Sequence, residues 1–172
     1  MAAPLTSRCS IANSLDVLGQ KWSLLIVREA MWGRTRFSQF REQLGVAPDV
    51  LADRLARLVE AGVLTRSTYR DDGAREREEY LLTPAGHALR PVLAAFTQWG
   101  DEYRRTEFGP AATHVEGATG EPVRLAFVTA SGRVVPTDDV TTLPGPGAAR
   151  DSVSINSPTG SPWPARTATS ST

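Results

Sequence analysis

A single cysteine, Cys9, leaves no internal disulfide to staple this chain and no cysteine pair around which a zinc site could form. Histidine is nearly as scarce. His87 and His114 stand in no Ser/His/Asp, paired-carboxylate or metal-ligand spacing, and no Gly-rich phosphate loop is present, so the chain reads as a non-enzyme without a cofactor. No apolar run approaches the ~20 residues a membrane span needs, and the start MAAPLTSRCS lacks a signal-peptide core, so a cytoplasmic location and no membrane partner are expected. Lysine is almost missing: Lys21 is one of 19 basic residues, and arginine supplies the rest. These balance 19 acids, so any footprint for nucleic acid must be local rather than global.

What is present divides into three zones. Residues 1–106 carry helical periodicity and fit one domain, residues 107–147 are rich in Gly, Pro, Val and Thr, and residues 148–172 are Ser/Thr/Pro-rich. The last zone has too little bulky apolar surface to offset its ordering entropy and is expected to be disordered.

Within the first zone, Asn13 or Ser14 can cap a short helix that runs through Leu18 and stops at Gly19. KWSLLIVREAMW follows as a second helix, with Trp22, Leu25, Ile26, Glu29 and Ala30 at helical spacing, and FSQFREQLG as a third. Pro48 suits the first turn of a fourth, in which Leu51, Leu55, Leu58 and Val59 form an apolar stripe. VLTRSTY and EYLL, separated by DDGARERE, read as two strands of a hairpin, and Thr83-Pro84 opens a last helix carrying Leu89, Val92, Leu93, Phe96, Trp99 and Tyr103. Helix, helix, short helix, helix, hairpin, helix is the order of a winged helix-turn-helix, mainly α with a small β-hairpin. In residues 107–147, PVRLAFVT and RVVPTDDV around ASG predict a C-terminal β-hairpin appendage of unassigned role, with Pro136 marking an edge.

A helix of about 12 residues fits the major groove of double-stranded DNA. The fourth helix is the candidate reader, and its polar face holds Asp49, Ala52, Asp53, Ala56, Arg57 and Glu60. Arg70, Arg75 and Arg77 lie in the wing, where arginines enter the minor groove or hold phosphate; Arg34 and Arg36 precede the third helix, a position from which backbone phosphates are held. Asp49 stabilises the helix start against the dipole or accepts from a cytosine amino group, and Asp53 pairs with Arg57 or does the same. A winged helix used for protein contact without DNA is the alternative reading, favoured by the neutral charge and the acidic reader tip.

The motifs G-x-K-W at 19–22, R-F-x-x-F at 36–40, L-x-x-R-L at 51–55 and E-Y-x-L-T-P-x-G at 79–86 make residues 9–103 resemble the HxlR-type transcriptional regulators. The resemblance implies a bacterial winged-helix homodimer on an inverted-repeat operator, a repressor or activator, with the first and last helices in the dimer contact. The residues this points to are Leu15, Leu18, Leu93, Phe96, Trp99 and Tyr103 for the dimer. For DNA they are Arg34, Arg36, Ser38, Gln39, Asp49, Asp53, Arg54, Arg57, Arg70, Arg75 and Arg77. The chain departs from the family at Asp49 and Ala52, where donors to phosphate or purine are common, and at Glu78, where an apolar residue is usual. Arg54 and Arg57 are then the remaining contacts on that helix, and Arg54 has the alternative of pairing with an acid on a neighbouring helix.

Family members that sense oxidants or electrophiles carry a cysteine at the position of Cys9, which makes it a candidate redox sensor. Beside Arg8 and ahead of the first helix, it stands where reactive cysteines occur; an inert, half-buried thiol is the other reading. Phe96, Trp99 and Tyr103 exceed what a small winged helix can bury, so they meet a partner chain or line a pocket for a small apolar effector.

Overall fold

The computed structural model describes residues 9–70 and 76–143. Four helices lead: α1 (Ser10–Leu18), α2 (Lys21–Met31), α3 (Phe37–Leu44) and α4 (Pro48–Glu60). A hairpin of β1 (Leu64–Tyr69) and β2 (Arg77–Leu82) follows, then α5 (Pro84–His87) and α6 (Arg90–Tyr103). Two short strands, β3 (Phe127–Val128) and β4 (Val134–Val135), pair beyond them, ahead of a single 3₁₀ turn at Thr137–Asp139. The winged helix expected from the element order is the observed architecture.

The core collects one face from each element of the first half. Ile26 and Val27 of α2, Phe40 of α3, Leu51, Leu55 and Leu58 of α4, and Leu64 of β1 are all buried to within 1 % of completely. Burial of each such side chain contributes about 1.5–3 kcal/mol, and the i, i+4, i+7 spacing of the three leucines seats α4 firmly while leaving its opposite face to solvent. Gly45, at φ +60°, makes the left-handed turn that ends α3 and lets α4 start after three residues. The wing is antiparallel, in the register Leu64↔Leu82 to Tyr69↔Arg77, and the Tyr80 N–H donates to the Thr35 carbonyl at 2.8 Å. That bond fastens the wing to the turn that enters α3.

Several expected boundaries move. The first helix begins at Ser10, with Cys9 as its N-cap residue, rather than after Asn13 or Ser14. Ser14 lies inside it, its hydroxyl donating to the Ser10 carbonyl at 2.8 Å, the back-bonding of a serine within a helix. The second wing strand reaches back to Arg77, so residues 77 and 78 of the expected loop are paired.

The last helix is two. Pro91 has no N–H to offer the His87 carbonyl, so the ladder of i→i−4 bonds is interrupted there: the turn from Thr83 closes at His87 and α6 starts afresh at Arg90. The junction keeps Gly86 hard against Val63, the residue before β1: a methyl group there would run into the Val63 carbonyl oxygen. Thr83 completes it by accepting from the Gly86 N–H at 3.1 Å and donating to the Gly62 carbonyl at 2.6 Å.

The appendage hairpin is much shorter than expected. Only two residues of each proposed strand pair, with Gly132 at φ +84° in the turn; Pro136 leads into the 3₁₀ turn and a separate bridge joins Val115 to Pro122. Prolines at both ends remove the donors a longer ladder would need. The Leu125 N–H donates to the Gln98 side-chain oxygen, which places the appendage against α6. The expected tail, residues 148–172, lies outside the described residues.

Candidate nucleic-acid interface

The exposed side of α4 is built by subtraction: with Leu51, Leu55 and Leu58 committed to the core, helical geometry turns Asp49, Ala52, Asp53, Ala56, Arg57 and Glu60 outward, and all six are exposed. Asp49 sits in the first turn, where it meets the positive end of the helix dipole. Asp53 is the centre of the face. Its carboxylate lies 3.2 Å from Nε of Arg57, one turn on, and 3.3 Å from Nη1 of Arg54. The alternative weighed for Arg54, a pair with an acid on a neighbouring helix, gives way to a pair with the adjacent residue of its own helix. Both cations of the reading helix are held by one acid.

The flanking arginines differ in freedom. Arg34 reaches back to Glu29, Nη1 to Oε2 at 2.9 Å, with the guanidinium about 5.8 Å from the Trp32 ring centre. Glu29 is 1 % exposed and also accepts from Arg28 Nε at 2.9 Å. The carboxylate is a buried anchor that fixes the turn between α2 and α3, and sequence reading had not singled it out as a site residue. The signal was available: an acid on an otherwise apolar stripe, three residues after Ile26, needs a buried cationic partner. Arg36, at the N-cap position of α3, lies 4.1 Å from the ring centre of Tyr69 at the end of β1. Cation and ring tie α3 to the wing.

Ser38 is exposed in the first turn of α3. Gln39 is not free in the same way: its carbonyl oxygen accepts from the N–H groups of Thr35 and Arg36, both at 3.0 Å, so only its amide NH2 remains to reach outward. Arg70 and Arg77 are exposed at the outer ends of the wing strands; Arg75 lies outside the described residues. Burial raises the phenol of Tyr80, on β2, above its ordinary 10.0, an effect opposed by Arg66 and reinforced by Glu78. Arg66 and Glu78 are 4.0 Å apart, which gives the unexpected acid of the second strand a partner.

The proposed dimer residues separate into two groups. Leu15, Phe96, Trp99 and Tyr103 are 53–58 % exposed, and the Trp99 and Tyr103 rings lie 5.7 Å apart. Leu18, in contrast, is buried in the core of its own chain, and Leu93 is half-buried against that core. Cys9 is exposed and unbonded. A cavity does adjoin α6, but Phe96, Trp99 and Tyr103 do not line it. Among the described residues no group of His, Cys, Asp and Glu is placed to hold a metal ion, and no helix is long and apolar enough to cross a membrane.

Fold and relatives define a helix-turn-helix transcriptional regulator. Within that class the chain belongs to the HxlR-like helix-turn-helix family, whose model matches residues 17–108. It is 40 % identical to the HTH-type transcriptional regulator Mb3122 of Mycobacterium bovis over 80 % of this chain and 87 % of that protein. Among solved structures it resembles PA1607, described as a candidate transcription factor, with 39 % identity and a TM-score of 0.68 over 78 % of this chain and 94 % of that one. The reduced redox regulator HypR is similar over 56 % of this chain and 94 % of its own length, at 28 % identity and a TM-score of 0.51.

Proposed function

We propose that the chain binds double-stranded DNA sequence-specifically, as a homodimer on an inverted-repeat operator, and represses transcription from it. The observation that carries this reading is α4: thirteen residues with three leucines fully buried and the opposite face exposed, flanked by a wing whose strand ends carry Arg70 and Arg77. A two-fold dimer would present two such helices to successive major-groove faces. The exposed stripe of Phe96, Trp99 and Tyr103, joined by Leu15, supplies apolar surface of the kind that pairs subunits.

A salt-titrated mobility-shift assay with the upstream region of its own gene tests the proposal. Affinity should fall steeply with salt as bound arginines give up phosphates to counterions. Absence of any salt-sensitive binding would favour a protein-contact module instead, a use to which the acid at the centre of α4 lends itself.

Cys9 is proposed as a thiol trigger on the strength of its exposure at the start of α1, beside a resemblance to a regulator solved in reduced and oxidised forms. With no second cysteine, oxidation would join it to the partner subunit's own Cys9 or to a small thiol. Cys9→Ser should bind DNA normally and lose the response to diamide; a variant that still responds removes the thiol from the mechanism.

A further inference from the structure

A cavity of about 400 Å³ opens between the end of α2, one face of α6 and the appendage, within the size range of small-ligand sites. Its α6 wall is made by Arg90, Leu93, Ala94, Thr97 and Gln98, at i, i+3, i+4, i+7 and i+8, with Pro91 beside them in the first turn. Val92, Phe96, Trp99 and Tyr103 fall on the opposite side of the same helix, so filling the cavity and pairing two chains through the aromatic stripe do not compete.

The lining has a consistent chemistry. Met31, Trp32, Leu93, Val123 and Leu125 give it an apolar body. Three cations border it, Arg28, Arg90 and Arg124, and no Asp or Glu is among its lining residues. Arg28 is committed to Glu29 and lies 5.0 Å from the Trp32 ring centre, whereas Arg90 and Arg124 have no carboxylate partner among the described residues. His114 lines the same space, and its Nε2 is buried without a hydrogen-bond partner. A buried ring nitrogen left unpaired is costly, and a ligand oxygen beside it removes the cost. The backbone fixes the ring's place, since the His114 carbonyl accepts from Val123 N–H at 2.8 Å.

From this juxtaposition we infer that the cavity is a binding site for a small organic acid with an apolar body, its carboxylate held by Arg90, Arg124 and the Nε2–H tautomer of His114 and its hydrocarbon or ring packed between Trp32, Leu93 and Leu125. The absence of lining acids explains why an anion is preferred, and the apolar walls why a bare inorganic anion is not. Through Glu29, Arg28 connects the cavity wall to Arg34 at the entrance to α3, so the site adjoins the candidate DNA interface.

Calorimetry and thermal-shift measurements on the full chain test it with 4-phenylbutyrate, naphthalene-2-carboxylate and octanoate, each beside its neutral amide, with acetate as the acid that has no body. At least one of the three acids should saturate at or below roughly 1 mM, with its amide and acetate both weaker by about tenfold or more, the scale of a charged hydrogen bond or a buried apolar group. Arg90→Gln with Arg124→Gln should weaken that acid roughly 10- to 100-fold. Val123→Trp, at a half-exposed wall position where folding is not at stake, should abolish the saturation by filling the space. Failure of all three acids to saturate, equal binding of acid and amide, or indifference to the arginine pair would each overturn the inference. None of these readouts involves DNA, so the outcome is independent of the proposed operator binding.

Discussion

Asp53 holds both arginines of α4, and if that helix reads DNA as proposed, replacing the acid with asparagine should let it show more positive charge to a duplex. In the free protein its carboxylate is about half exposed and holds Arg57 at 3.2 Å and Arg54 at 3.3 Å. Ion pairs this open contribute at most about 1 kcal/mol, so Asp53→Asn should leave the fold intact. Its effect on DNA should be larger. A unit charge about 4 Å from a phosphate in water is worth about 1 kcal/mol, so removing the acid should raise affinity for random-sequence duplex about fivefold. If both freed arginines then reach phosphates, the slope of log K against log salt steepens by up to about 1.8, at roughly 0.9 per phosphate. Fluorescence anisotropy of a labelled duplex titrated at salt concentrations from about 50 to about 300 mM reads both quantities. An unchanged slope together with unchanged random-sequence affinity would refute the restraint. A different failure is also informative: loss of about 1–3 kcal/mol of discrimination at one C·G pair, with no gain elsewhere, would mean that Asp53 reads a cytosine amino group instead.

Three further outcomes follow from contacts in the fold and its surface. Gly86→Ala drives a methyl group into the Val63 carbonyl oxygen, a backbone atom that cannot swing aside, and should cost about 1–3 kcal/mol or more, read as a lower Tm in calorimetry. Glu29→Gln keeps the shape but weakens the hold on Arg28 and Arg34; because both arginines retain access to water, the loss should stay near 1–3 kcal/mol in urea denaturation, and a neutral result would remove Glu29 as the anchor of the α3 entrance. Phe96→Asp, at an exposed position, should leave the monomer's stability unchanged within about 0.5 kcal/mol while shifting the mass measured by light scattering from dimer to monomer; a mass that stays put would exclude the aromatic stripe from the interface.

The architecture was legible because periodicity and punctuation agree. The leucines of α4 recur at the spacing that buries one face, Pro48 and Thr83-Pro84 sit where helices begin, and the two alternating segments on either side of one short polar loop pair with each other. The family motifs fall on those same elements. The break at Pro91 was equally visible in principle, yet the apolar pattern runs across it, and pattern outweighs punctuation when a helix is read only by its stripe. The appendage strands were overread for the converse reason: alternation alone does not supply the donors that prolines at 122 and 136 withhold.

Residue order by itself determined the winged-helix order of helices and hairpin and the exposed face of α4, since those depend on local spacing and on where the helix-starting residues stand. Tertiary structure decided the partnerships: that Asp53 takes both Arg54 and Arg57, that Glu29 underlies Arg28 and Arg34, that Leu18 serves its own core, and that Arg90, Arg124 and His114 meet around one cavity. Long side chains can reach many alternatives at similar cost, so which acid a given arginine meets is settled only when packing fixes the backbone around them both.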